Sequence, residues 1–291
     1  MPSVGEGLTM EYDATRKALY TPQAGDPVAD FSTAWPLEAV CAELSRLAYY
    51  HFEDKDGPRL DAILAKAGFS GHVRFLATER DAQAFGTTAP DGSVFIAFRG
   101  TEAGKILDLV ADAEARLVSL DDGRRVHEGF LATYRSLAEA IGKWPAAAHA
   151  RRLVLTGHSL GAAMATVMAA LREEAVLVTF GSPRVGDAAF VQSFAGRTVE
   201  RYVDCTDIVT SVPPGILDYG HLDGERYIDH RGIVHPTRPA PDTVAEDHRI
   251  ARFLYLKKYA WKVWRNVLVR ELADHAPINY VSAVLGRRDP D

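Results

Sequence analysis

Cysteine is scarce in this chain: only Cys41 and Cys205 occur in 291 residues. No CxxC pair is present, and two thiols cannot build a disulfide framework. Both are expected as buried free thiols. Long apolar runs are missing too, and nothing approaches the roughly 18 apolar residues of a membrane-spanning helix. The opening residues lack a basic region followed by an apolar stretch. No export signal is therefore read, and the expected location is the cytoplasm, with secretion by a separate route left open. Positive charge is not in excess. There are 33 basic and 39 acidic residues, a net charge of −6, which argues against nucleic acid as a partner. Internal repeats and low-complexity segments are absent.

What is present is ordinary for a globular protein: 47% hydrophobic and 25% charged residues. Strand and helix signals alternate through most of the chain. They predict one α/β domain over 1–291, with a mostly parallel central sheet flanked by helices. Residues 1–33 are polar and turn-rich and read as a surface arm. Helices are predicted at 35–50, 60–67, 105–120, 128–144 and 162–173. Strands are predicted at 72–78, 82–87, 93–99, 153–156, 176–180, 200–203 and 227–229. Residues 245–270 read as a long helical stretch, aromatic and basic. Such a stretch can pack on the body with its cations reaching to solvent. It can also lie on an anionic membrane surface.

One short segment carries chemistry. Gly157-His158-Ser159-Leu160-Gly161 is a G-x-S-x-G pattern between the strand at 153–156 and the helix at 162–173. A turn that tight holds the serine in a strained conformation and excludes side chains at the flanking positions. The following helix points its N-terminus at the serine oxygen and favours negative charge there. The sequence thus points to an α/β-hydrolase fold with Ser159 as nucleophile.

A serine needs a histidine base, and the base needs a carboxylate to fix its tautomer. In α/β hydrolases the order along the chain is Ser, acid, His. Asp207 follows the strand at 200–203 and is the expected acid; Asp204 is its near rival. For the base, His221, His230, His235, His248 and His275 all follow Asp207. His248 and His275 stand in Asp-His pairs ahead of helical segments. The backbone N–H of Leu160, the residue after the nucleophile, is one expected oxyanion donor.

Five ordered blocks resemble the class 3 lipase family, the fungal-lipase-like α/β hydrolases. They are Phe98-Arg99-Gly100-Thr101, Val126-His127-Glu128-Gly129-Phe130 with Tyr134, the segment Gly157 to Ala163, Thr179 to Asp187, and Asp204 to Val209 with Val212-Pro213-Pro214. The resemblance implies Asp207 as the acid and Thr101 as the second oxyanion donor. Its histidine stands in a loop before a short C-terminal helix, which favours His275 and keeps His248 as the alternative. It also implies a lid-like segment at 102–113, where Leu109 takes a place that fungal members often give to Trp; a plain core helix is an equal reading. Arg99 and Arg184 are expected to hold loops. The function so implied is hydrolysis of a lipid ester, with an acylglycerol as the expected substrate. An acyltransferase or thioesterase with the same triad, or a silent lipase-like binding protein, are the alternatives. No metal or organic cofactor is implied.

Overall fold

The computed structural model describes residues 9–52, 56–101, 116–262 and 264–289. Among the described residues ten strands run in chain order: β1 Ser70–Ala77, β2 Ala82–Thr88, β3 Val94–Phe98, β4 Leu117–Ser119, β5 Arg125–His127, β6 Leu153–His158, β7 Val176–Phe180, β8 Val199–Asp204, β9 Glu225–Ile228 and β10 Val234–His235. Eight of them form one sheet in the order β1-β2-β3-β6-β7-β8-β9-β10. From β3 through β9 every pairing is parallel, and antiparallel strands close the two edges. β4 and β5 form a separate antiparallel pair.

Both faces of this sheet are covered, as a parallel sheet requires. Val94, Ile96 and Phe98 of β3 point into one apolar cluster; Phe95 and Ala97 point into the other. Leu155 and Val154 divide in the same way on β6. The first cluster includes the helices Glu128–Gly142 and Leu160–Leu171, and the second includes Leu37–Leu47 and Pro277–Val284. Leu160–Leu171 is apolar on every side, and all residues from Gly161 to Ala170 are buried. A helix with no polar face has to sit inside the molecule.

Three expectations differ from the structure. The stretch at 245–270 is not one helix. The helix spans Pro241–Lys258 and ends at Tyr259, after which a 3-10 turn at Ala260–Lys262 bends the chain away. The cause is non-local: Val267 N–H donates to the Ala14 carbonyl at 2.9 Å, and Arg16 N–H donates to the Arg265 carbonyl at 2.9 Å. Of the expected surface arm, residues 9–33 are accordingly packed on the body, because Tyr12, Ala14, Leu19 and Phe31 are buried; residues 1–8 lie outside the described residues. The helix expected at 105–120 falls largely outside the described residues, and its last part is strand β4. The lid expected at 102–113 lies wholly outside them. Cys41 and Cys205 are both free and buried.

Candidate active site

Ser159 stands in the turn between β6 and the helix Leu160–Leu171, with φ 59° and ψ −128°. This left-handed conformation is strained for a serine, and tight packing on both sides enforces it. A Cβ on Gly157 would lie 2.3 Å from the Gly161 carbonyl carbon. A Cβ on Gly161 would lie 2.2 Å from the Phe98 carbonyl oxygen. The turn is also tied to β7, since Ser159 N–H donates to the Phe180 carbonyl at 3.0 Å. Sterics thus explain the G-x-S-x-G spacing.

Asp207 follows β8 and caps the 3-10 turn Ile208–Ser211, its Oδ1 accepting the Val209 N–H at 2.9 Å. Its Oδ2 faces the other way and lies 2.8 Å from His275 Nδ1. Since the ionised carboxylate only accepts, Nδ1 carries the proton and Nε2 offers its lone pair. His275 Nε2 and Ser159 Oγ are both buried, and neither has a hydrogen-bond partner among the described residues, the other of the two included.

A second tie runs beside the first. Asp274, next to His275, accepts from the Thr206 N–H at 3.0 Å and hydroxyl at 2.8 Å, and Thr206 is the neighbour of Asp207. Tyr12 and Arg270 donate to the other oxygen of Asp274 at 2.7 and 2.8 Å. Adjacent residues on one loop therefore grip adjacent residues on the other.

The rival residues are engaged elsewhere. Asp204 is buried against the Arg288 guanidinium, with Arg288 Nη1 3.0 Å from its Oδ1. His248 lies in the helix Pro241–Lys258 against the Tyr227 ring, at 6.4 Å between centroids. Its neighbour Asp247 pairs instead with His230 Nδ1 at 2.5 Å, and also accepts from Tyr227 and Cys205. Of the two Asp-His pairs weighed in the sequence, the 274–275 pair is the one brought to Asp207. Leu160 begins the helix after Ser159, and Thr101 follows β3 in half-buried surroundings. Gly100 allows that approach: a Cβ there would lie 2.1 Å from the Tyr49 hydroxyl and 2.6 Å from the His158 carbonyl oxygen. Arg99 donates to the Asp81 carbonyl at 2.9 Å, and Arg184 donates to the Pro213 carbonyl at 2.8 Å. Both hold loops, as expected.

Sequence reading missed several residues. Tyr280, in the short helix Pro277–Val284 after His275, is one. Its hydroxyl donates to Asp207 Oδ2 at 2.6 Å and accepts the Asp204 N–H at 3.1 Å. Burial and the charge of Asp207 push the Tyr280 hydroxyl well above its ordinary pKa, so it stays a donor. Gly181 is another, with φ 57°: a Cβ there would lie 2.8 Å from Asp207 Oδ2 and 3.0 Å from His275 Nδ1. His158 is a third, its ring 4.4 Å from that of His275. Burial, with the nearby His275, holds His158 well below the usual imidazole range. It therefore stays neutral and puts no competing charge beside His275. Its Nδ1 is 2.7 Å from the Tyr49 hydroxyl. Gly181 was visible only inside the Thr179 to Asp187 block of the resemblance, and nothing local marks what a tyrosine hydroxyl or a buried imidazole will meet.

A model of the class 3 lipase family matches residues 95–216, the span from β3 past Asp207. That segment belongs to the class 3 lipase family. Over 117 residues the chain is 38% identical to the secreted mono- and diacylglycerol lipase 1 of Fusarium solani, covering 37% of this chain and 35% of that one. Over 164 residues it is 30% identical to a secreted mono- and diacylglycerol lipase of Malassezia restricta, covering 49% of this chain and 54% of that one. The chain thus spans about a third to a half of the length of these curated relatives. The fold resembles that of the mono- and diacylglycerol lipase from Aspergillus oryzae, with a TM-score of 0.57 at 23% identity over 70% of this chain and 80% of that one.

Proposed function

We propose that the chain hydrolyses carboxylic esters of lipids, acylglycerols above all, through an acyl-enzyme formed on Ser159. The observation that carries this reading is the Asp207–His275 pair at 2.8 Å, with His275 Nε2 free to accept, in the same fold as a strained elbow serine. Ser159 Oγ attacks the ester carbonyl carbon while its proton passes to His275 Nε2. Asp207 fixes the tautomer and offsets the charge that develops on the ring. The backbone N–H groups of Leu160 and Thr101 hold the oxyanion. The alcohol leaves with the proton from His275. Water, deprotonated by the same nitrogen, then cleaves the acyl-enzyme and releases the acid. The acylglycerol preference draws on what the Fusarium and Malassezia relatives are named for. Cytoplasmic residence belongs to the same proposal; those two relatives are named as secreted.

A fluorophosphonate probe tests the mechanism, with turnover of a short p-nitrophenyl ester beside it. Labelling of the wild type and none of Ser159→Ala is expected. His275→Ala should lose most turnover, on the order of 10³-fold or more, and His248→Ala should keep it. Equal labelling of the wild type and Ser159→Ala, or near-normal turnover by His275→Ala, overturns the assignment.

A further inference from the structure

The end of the helix Pro241–Lys258 and the turn after it show two unlike faces. On the inner side Ala251, Tyr255, Asn266 and Val267 are buried. Tyr255 O–H donates to the Val267 carbonyl at 2.6 Å, and Val267 N–H donates to Ala14. The turn is therefore held firmly against the body. On the outer side large apolar side chains face solvent: Phe253 and Leu256 on the helix, then Trp261 at 68% and Trp264 at 80% exposure, and Leu268. Phe253 and Leu256 share one helix face by their spacing.

Exposed apolar groups of this size cost free energy unless something covers them. Charge decides what fits. Between Phe253 and Leu268 stand Lys257, Lys258, Lys262 and Arg265 with no acidic residue, in a chain whose net charge is −6. A second copy of the chain would bring the same cations face to face with these. An anionic lipid surface would meet them with opposite charge, and its headgroup layer is where tryptophan prefers to sit.

We propose that this face docks the protein on anionic lipid surfaces, with Trp261 and Trp264 inserted among the headgroups and the surrounding lysines and Arg265 over them. Leu268 and Val269 lead directly into the helix Arg270–Ala273, which ends at the Asp274–His275 loop. Docking would thus hold the segment that carries His275 close to its lipid.

The test is flotation with vesicles of ether-linked phosphatidylcholine, with and without ether-linked phosphatidylglycerol. Ether lipids hold no carboxylic ester to cleave, so the result does not depend on whether the protein hydrolyses such esters. The wild type should bind the anionic vesicles at least about tenfold more tightly than the neutral ones, and high salt should abolish the difference. Trp261→Ser with Trp264→Ser, and separately Lys257→Glu with Lys262→Glu, should each lower binding about tenfold or more. Turnover of a soluble short-chain ester should be unchanged in both. Equal binding to both vesicles overturns the proposal, as does no binding by the wild type. A dimer that Trp264→Ser dissolves would assign the face to a second copy instead.

Discussion

Tyr280 joins two backbone segments through one oxygen. Its hydroxyl donates to Asp207 and accepts from the Asp204 N–H, all in buried surroundings. Tyr280→Phe leaves the Asp204 N–H without an acceptor, which costs about 1–3 kcal/mol. It also takes one donor from Asp207 Oδ2, whose charge then falls more fully on His275. Asp207 is then less firmly placed to orient the His275 ring. A loss in kcat of roughly tenfold is expected, less than the 10²–10⁴ of removing a general base, with KM little changed. A kcat equal to that of the wild type would reduce Tyr280 to a structural tie.

Elements were legible where their cause is local. The elbow was readable because Gly157 and Gly161 are demanded by backbone contacts within a few residues and by the neighbouring strand. The strand at 176–180 was read at its observed bounds, since a fully buried parallel strand is a plain apolar run. The break after Lys258 was not legible, because the apolar and basic pattern continues beyond it. Its cause is hydrogen bonding to residues 14–16, some 250 positions away in sequence. The loop after Asp207 hides a similar surprise. His221 reads as an ordinary candidate base, yet it is packed under that loop with Nε2 2.7 Å from the Thr210 carbonyl, the N–H donating. Burial, helped by Arg201 and Arg184, depresses its pKa to about 2. In the unfolded chain it titrates near 6.5. Between those values the unfolded state binds the extra proton, so stability is full above about 6.5 and falls as pH drops below it. His221→Gln keeps an N–H donor and does not titrate. From pH 6 to pH 4 the wild type should lose about 2–3 kcal/mol more stability than this variant, measured by urea unfolding. Parallel curves for the two would show that His221 is not held neutral.

At the scale of the whole molecule, residues far apart in the chain meet behind the Asp207–His275 pair. Met10 N–H donates to the Arg287 carbonyl at 2.7 Å, and Asp289 N–H donates to the Met10 carbonyl at 2.9 Å. Asn279 exchanges hydrogen bonds with the Asp13 backbone at 2.9 and 3.0 Å. Within this junction four charges are buried together: Asp204 with Arg288, and Asp274 with Arg270. The group is neutral as a whole, and that balance makes it tolerable. Burial raises the pKa of the Asp204 carboxyl to about 7 even with Arg288 beside it, and Arg288→Met leaves that buried carboxyl without its partner. A loss of about 3–5 kcal/mol is expected for breaking such a pair. Adding Asp204→Leu removes the stranded carboxyl and replaces the pair with apolar volume, while the backbone N–H of residue 204 keeps its bond to Tyr280. The double variant should then recover to within about 1–2 kcal/mol of the wild type, since a buried pair often gains little over a packed apolar one. Thermal unfolding of the wild type, both single variants and the double variant closes the cycle. If the double variant is as unstable as Arg288→Met, the guanidinium's other bonds, to the Asn279 carbonyl and the Ser282 hydroxyl, are what the junction needs.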